Sequence, residues 1–210
     1  MTNRQIFPLP LHVFLLLLMG SALAPGCMAN PSTSGPSPNH DWSLLVVDYH
    51  GNTWPRWQTP RRPRFRLMPS GGDTALMPDT LRAARLSAGA NIQAVDMVMS
   101  SQVTNAFVCA RPPGHHANAV RARGFCLFNN VAVAARWLQA TGRAERILII
   151  DWDVHHGNGT QDVFYDDDSV FFLSTHQAPW YPGTGGAEET GTGKGLGHTL
   201  NCPFPAGAGR

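Results

Sequence analysis

Two histidine-bearing segments near the middle of the chain contain the side chains best suited to chemistry. One reads RPPGHH over residues 111–116, and the other reads DWDVHHGNG over residues 151–159. In the second segment Asp153 and His155 are two positions apart, so on an extended backbone their side chains lie on one face. A carboxylate oxygen and an imidazole nitrogen on one face can bind a divalent metal, and zinc is the leading candidate.

The other polar side chains of both segments suit the surroundings of such a metal. Asp151 lies on the same face as Asp153 and can orient a neighbouring histidine, and the amide oxygen of Asn158 can orient another. The adjacent His115 and His116 could then act as proton shuttle and electrostatic stabiliser for a metal-activated water. Each motif alone also occurs in ordinary loops, but the two together in one chain indicate a catalytic metal site.

Short apolar runs predict the strands that position these two segments. Five of them predict buried strands, namely Leu44–Val47, Ala106–Ala110, Ile147–Ile150, Val170–Ser174 and Thr199–Cys202. The two histidine segments directly follow the second and third of these runs. Ligand sites in parallel α/β sheets lie beyond the carboxyl ends of the strands, so this placement supports the same site.

Helices are predicted between the strands. One begins at Asp79 or Thr80 and has an apolar side at helical spacing, formed by Leu81, Ala84, Ala88, Ile92, Val95 and Met99. A second is predicted over Val131–Ala140, opened by Asn130 and stopped by Gly142. Strands that alternate with helices indicate an α/β fold with a doubly wound parallel sheet.

The amino-acid composition limits which classes of function are compatible with the chain. The 210 residues are 43% apolar, which is enough for a core, and only 14% are charged, with a net charge of +2. That weak balance argues against a protein that binds nucleic acid electrostatically. The four cysteines form no CxxC pair and are predicted to be buried free thiols: Cys27, Cys109, Cys126 and Cys202.

The first third of the chain divides by composition into three parts. Residues 1–29 hold an apolar run that is too short for a stable membrane span of about 20 residues. They are predicted to be either a signal peptide or an N-terminal extension, and residues 30–43 a linker before a domain over 44–210. Residues 51–72 mix arginine, proline and tryptophan; an irregular loop is favoured over a nucleic-acid or lipid contact because the prolines oppose regular structure.

The sequence excludes two other kinds of site, a phosphate-binding P-loop and a serine nucleophile elbow. The Gly193-Lys194-Gly195 run is not followed by Ser or Thr, so it is not a phosphate-binding P-loop, and it follows no strand directly. The sequence contains no G-x-S-x-G nucleophile elbow. Metal chemistry therefore remains the leading hypothesis.

Four segments together resemble the histone deacetylase family of zinc amidohydrolases: RPPGHHA at 111–117, GFCLFNN at 124–130, ILIIDWDVHHGNG at 147–159 and YPGTG at 181–185. The resemblance covers residues 73–209, and Trp152 and Asn158 resemble the class II and bacterial branch. It implies an arginase/deacetylase-like doubly wound parallel sheet with helices on both faces.

The resemblance also implies roles for individual residues. Asp153 and His155 would be zinc ligands, His116 the general base and acid, and His115 its electrostatic partner. Asp151 would orient His115, and Asn158 would orient His116. Two aromatic residues, Phe125 and Tyr181, would line the substrate channel. A potassium ion would be bound by oxygens of Asp151, Asp153, His155, Ser174 and Thr175.

The activity implied by the resemblance is hydrolysis of an N-acetyl amide, acetyl-lysine or acetylpolyamine, to acetate and a free amine. The family's third zinc ligand and its transition-state tyrosine would follow Thr199–Cys202 and are not recognisable before Arg210. The domain is therefore expected to be incomplete at its C-terminus, and a truncated, non-catalytic remnant is the alternative. A two-manganese, arginase-like hydrolase is a third hypothesis, which residues 111–117 oppose. The family implies a cytoplasmic location, but residues 1–27 would imply export if they are a signal peptide.

Overall fold

The computed structural model describes residues 15–18, 74 and 76–208. Four parallel strands form one sheet in the order β1-β2-β3-β4: β1 (Leu15–Leu18), β2 (Ile147–Asp151), β3 (Val170–Gln177) and β4 (Thr199–Phe204). Three α-helices accompany it: α1 (Thr80–Met99), α2 (Asn130–Ala140) and α3 (Asn158–Phe164). A short 3-10 helix covers Gly193–Gly195. None of the helices in the described residues is long and apolar enough to cross a membrane.

The core lies between one face of the sheet and the three helices. Alternate residues of β2 and β3 are buried on that face, and Ile149 pairs in register with Phe172, whose side chain has no exposed surface. Val95 of α1 and Phe164 of α3 pack into the same apolar cluster, together with most of the buried side chains of α2. The polar ends of the strands are therefore held on a close-packed base.

The two long helices begin and end close to the predicted positions. Alanines fill the buried side of α1, which lets it pack closely on α2; Ala84, Ala88 and Val95 are buried as predicted, while Leu81, Ile92 and Met99 stay half-exposed. Asn129 caps α2, because its side chain accepts the backbone N–H of Ala132 at 3.1 Å. The α/β class and the parallel sheet agree with the sequence-based prediction.

Of the five predicted strands, one is wrong and one lies outside the described residues. Residues 106–110 do not form a strand in the described chain; only Phe107 makes a bridge, and all five side chains remain at least partly exposed. An apolar run becomes a strand only where a neighbouring strand pairs with it. The predicted strand at 44–47 lies outside the described residues, and the strand paired with β2 on that side is β1.

The remaining predictions for loops and thiols have mixed outcomes. Cys126 is buried as expected, but Cys109 is exposed on an irregular segment and Cys202 is half-buried on β4. All three are free thiols. Cys27, the linker at 30–43 and the segment at 51–72 lie outside the described residues.

Candidate active site

Loops at the carboxyl ends of β2 and β3 surround the histidine pair. The loop that carries His115 and His116 is fixed from behind by α3, since the N–H of Thr160 donates to the His115 carbonyl at 3.1 Å. Arg123 Nε donates to the His116 carbonyl at 2.8 Å, and its guanidinium also pairs with Asp162 on α3. Both imidazoles are thereby buried, at 8% and 4% exposure.

Each histidine of the pair has its own polar partner. His115 Nδ1 lies 2.9 Å from Asp151 Oδ2, and His116 Nδ1 lies 2.9 Å from Asn158 Oδ1. An amide oxygen only accepts, so His116 Nδ1 carries a proton and its Nε2 is free to accept one. The structure thus brings together the pairs that the resemblance implied.

The two partners shift the histidine pKa values in opposite directions. Burial lowers the pKa of His115, but the hydrogen bond and negative charge of Asp151 outweigh it, so this pKa is raised. Burial and the nearby His115 lower the pKa of His116 to about 4. The rings are 4.0 Å apart between centroids, so one pair combines a charge-stabilised imidazole with a neutral base.

The predicted metal donors lie next to this pair. His155 Nδ1 is 2.9 Å from Asp153 Oδ1, so a carboxylate oxygen and an imidazole nitrogen lie side by side. His115 Nε2 is 4.0 Å from the same oxygen. These two donors fit two positions of a catalytic zinc site, which uses three protein ligands and one open position. Within the described ranges no group of three or more such side chains converges to hold a metal.

A row of buried polar side chains crosses the sheet beneath the metal donors. Asp151, Ser174 and Asn201 are register partners on β2, β3 and β4, and each is at most 3% exposed. Asp151 Oδ1 also accepts the N–H of Asp153 at 3.1 Å. Of the predicted potassium ligands, the structure therefore brings Asp151 and Ser174 together. Thr175, the next residue along β3, points to the other face of the sheet.

Two aromatic side chains stand at the entrance. The Tyr181 ring lies edge-on to His116, with centroids 5.0 Å apart, and 6.0 Å from His155. Phe125 is 67% exposed and has a φ of 63°, a left-handed conformation that is uncommon for a bulky residue. Such strain occurs most often at functional sites.

Several groups that hold the site are not predicted by the sequence. Gly124 has a φ of +57°, and a Cβ at this position would overlap the His116 ring. Asn129 donates to the Ala117 carbonyl and to Thr160 Oγ1, both at 3.0 Å. The GF and NN dipeptides around residues 124–130 were the available signal, because both lie inside a segment of the resemblance.

Known proteins resemble this chain in sequence. A probable deacetylase of Archaeoglobus fulgidus is 52% identical over 137 residues, which is 65% of this chain and 38% of that protein. The chloroplastic histone deacetylase 10 of Oryza sativa is 49% identical over 143 residues, 66% of this chain and 32% of the relative. The chain thus spans about a third of the length of these relatives.

A solved structure and a family model extend the likeness to the fold. The crystal structure of the HDA15 HD domain superimposes with a TM-score of 0.57 and 49% identity, covering 59% of this chain and 35% of that one. The family model described as histone deacetylase domain matches residues 44–210. Since that match covers most of the sequence, this chain belongs to the histone deacetylase family.

Proposed function

We propose that this site hydrolyses an N-acetyl amide, on an acetylated lysine side chain or an acetylpolyamine, to acetate and a free amine. The main support is the buried histidine pair, in which His115 contacts Asp151 and His116 contacts Asn158. The candidate metal ligands Asp153 and His155 lie beside this pair. Membership of the histone deacetylase family supports the same reaction class. Because the chain spans about a third of the length of its relatives, we also propose this activity for the whole protein.

Asp153 and His155 would hold a zinc ion as two of its protein ligands. When bound, zinc polarises the amide carbonyl and lowers the pKa of an attacking water. The main chain reinforces the two ligands, because the N–H of His155 donates to Asp153 Oδ1 at 2.8 Å. A potassium ion would be held by oxygens of the predicted set, of which Asp151 and Ser174 are neighbours on β2 and β3; the other members are Asp153, His155 and Thr175.

His116 would move the proton. Its Nε2 accepts a proton from the attacking water and then gives it to the departing amine. Asn158 keeps the Nδ1 proton in place throughout, so the imidazole always presents the same nitrogen. His115, whose pKa is raised beside Asp151, places positive charge near the oxygen that becomes negative during attack.

Phe125 and Tyr181 would hold the arm that carries the acetyl group. A lysine or polyamine arm is a flexible alkyl chain, and aromatic faces bind it without a charged partner. The Tyr181 ring lies perpendicular to the His116 ring with centroids 5.0 Å apart, so an arm that contacts Tyr181 would reach the proposed base. Acetylated proteins and acetylated polyamines both present such an arm, so both belong in the assay.

The test measures zinc content and turnover of acetyl-lysine and acetylpolyamine probes. We expect one zinc per chain and turnover that His116→Ala abolishes. His198→Ala is the matched control, because His198 is half-buried and contacts Phe171 rather than the site. Two manganese ions per chain, or equal activity in both variants, would contradict the proposal.

A non-catalytic site is the second candidate, since two metal donors rather than three converge in the described part of the chain. It predicts weak zinc binding and no turnover above the His116→Ala background. Measuring the zinc dissociation constant of the chain beside its turnover separates the two candidates.

A further inference from the structure

A group of buried polar side chains behind the site has no role in the mechanism above. Gln161 on α3, His156 on the loop before it and Asn201 on β4 are 6%, 1% and 3% exposed. They connect α3 to the tyrosine loop, defined here as residues 181–186. Buried polar groups are costly unless each is hydrogen-bonded, so this cluster has a specific arrangement to maintain.

Gln161 is the centre of the cluster. Its Oε1 accepts from His156 Nε2 at 3.0 Å and from Asn201 Nδ2 at 2.7 Å. Its Nε2 donates to Glu189 Oε2 at 2.5 Å. A carboxylate can only accept, so the amide has one possible orientation, with its oxygen toward the histidine.

The tyrosine loop is held through two of these partners. Glu189 Oε1 accepts the N–H groups of Gly185 and Gly186, both at 2.9 Å. His156 Nδ1 lies 2.8 Å from Thr184 Oγ1. Because Gln161 makes His156 Nε2 the donor, Nδ1 of the neutral ring accepts the Thr184 hydroxyl proton.

The loop also packs directly on this cluster. Gly185 has a φ of +91°, and a Cβ there would overlap the rings of His156 and His176. His176 Nε2 donates to the Gly185 carbonyl at 3.0 Å. The backbone at Gly185 therefore has one close-packed position, four residues after the ring that faces His116.

We propose that Gln161 is a positioning residue, which together with Glu189 fixes the tyrosine loop and so sets where Tyr181 stands in the substrate channel. It acts through His156 and Glu189 and touches neither substrate nor metal. The consequence for catalysis rests on the proposed function. The fixing of the loop itself does not, because it follows from hydrogen bonds within the chain.

The hydrogen-bond directions give a sharp test by amide and carboxylate exchange. Gln161→Glu places a second carboxylate against Glu189. At Glu189 the carboxylate accepts three N–H groups, from Gly185, Gly186 and Gln161. Glu189→Gln replaces one of its oxygens with an NH2 group, which then faces another donor. The double variant Gln161→Glu/Glu189→Gln restores one carboxylate and one amide, and every donor again faces an acceptor. All three changes conserve side-chain volume.

The first readout is hydrogen exchange of the peptide that contains Gly185 and Gly186, followed at about pH 8, where both carboxyl groups are ionised. We expect each single variant to speed exchange there by about tenfold or more, the effect of losing one hydrogen bond to a charged group. The double variant should return exchange to the wild-type rate. Exchange in β2 and β3 should stay unchanged.

The second readout is the kinetics of acetyl-lysine turnover. Because the loop lines the channel, the single variants should raise KM by about tenfold with kcat within about twofold, and the double variant should restore KM. Gln102→Glu is the matched control, since Gln102 is exposed and its side chain donates to Ser100 Oγ at 2.9 Å, away from the tyrosine loop. It should change neither readout.

The outcomes are decisive in both directions. Unchanged loop exchange in the single variants, or a double variant no better than either single one, overturns the proposal. Faster exchange throughout the chain would show a general structural role and also overturns it. If the wild-type chain turns over no substrate, the proposed function fails while loop exchange still decides whether Gln161 fixes the loop.

Discussion

Gly124 offers a direct test of how tightly the chain holds His116. An alanine at this position meets two obstacles, a left-handed backbone with φ of +57° and the His116 ring, which its Cβ would overlap. The backbone obstacle costs about 1–2 kcal/mol for a residue with a Cβ. The ring cannot withdraw freely, because Asn158 holds its Nδ1 and Arg123 holds its carbonyl. Losing one of those buried hydrogen bonds adds about 1–3 kcal/mol.

Gly142 supplies a matched control for the backbone obstacle. It follows α2 with a φ of +66°, and an added Cβ would have no neighbour within 4 Å. We expect Gly142→Ala to lower the free energy of unfolding by about 1–2 kcal/mol and to leave turnover unchanged. We expect Gly124→Ala to lower it by about 2–5 kcal/mol and to reduce turnover about a hundredfold, since a displacement near 1 Å has that effect.

The assay is urea unfolding combined with turnover of an acetyl-lysine peptide, extended to a double-mutant cycle. In a His116→Ala background the two closest ring atoms are gone and only the His116 Cβ, 2.8 Å from the added Cβ, remains. Gly124→Ala should then cost clearly less than in the wild-type chain and approach the cost of Gly142→Ala. If Gly124→Ala is equally destabilising with and without the His116 ring, the overlap is not the cause. If it retains full turnover, the placement of His116 does not depend on Gly124.

Three further predictions address strain, core and charge. Phe125→Gly should leave the free energy of unfolding unchanged or raise it by up to about 1 kcal/mol, because the left-handed strain is relieved, while KM rises; a loss of stability by urea unfolding would contradict this. Phe172→Ala should destabilise the chain by about 3–5 kcal/mol, since the ring is fully buried, and a loss below about 1 kcal/mol in the same assay would contradict the core described above. Burial raises the pKa of Glu189, but hydrogen bonds from the Gly186 N–H and Gln161 outweigh it and lower this pKa below its ordinary 4.5. Its contribution to stability is therefore complete above pH 4.5 and is lost as the pH falls through the lowered value, so Glu189→Gln should flatten the stability–pH curve in that acidic range.

Local patterns predicted the elements whose own residues determine them. β2 is a run of four apolar residues before an aspartate, a pattern typical of a parallel strand inside a sheet; Ile147 and Ile149 are buried, and Leu148 and Ile150 are half-buried. α1 has a 20-residue periodic stretch, long enough for the apolar side to be unambiguous. The paired partners of His115 and His116 were predicted through the family resemblance, not from spacing alone.

The elements that depend on distant contacts were not predicted. α3 has seven residues, begins with Asn-Gly-Thr and lacks helix-favouring composition; it is held by burial of Phe164 and by its bond to the His115 carbonyl. Arg123 likewise looks like an ordinary surface cation until the fold places its guanidinium against the His116 carbonyl. A sequence pattern carries no information on which carbonyl a side chain will reach.

The register of the first strand has a consequence for how the chain is made. Leu15 pairs with Leu148, so β1 leaves the ribosome long before its partner strand exists. Parallel pairing over such a separation requires the closing of a long loop and is slow compared with helix formation. α1 and α2, whose contacts are nearer in sequence, can therefore pack first, and β1 adds to the sheet afterwards. Until then the edge of β2 stays open, so we expect aggregation during synthesis to begin at this edge.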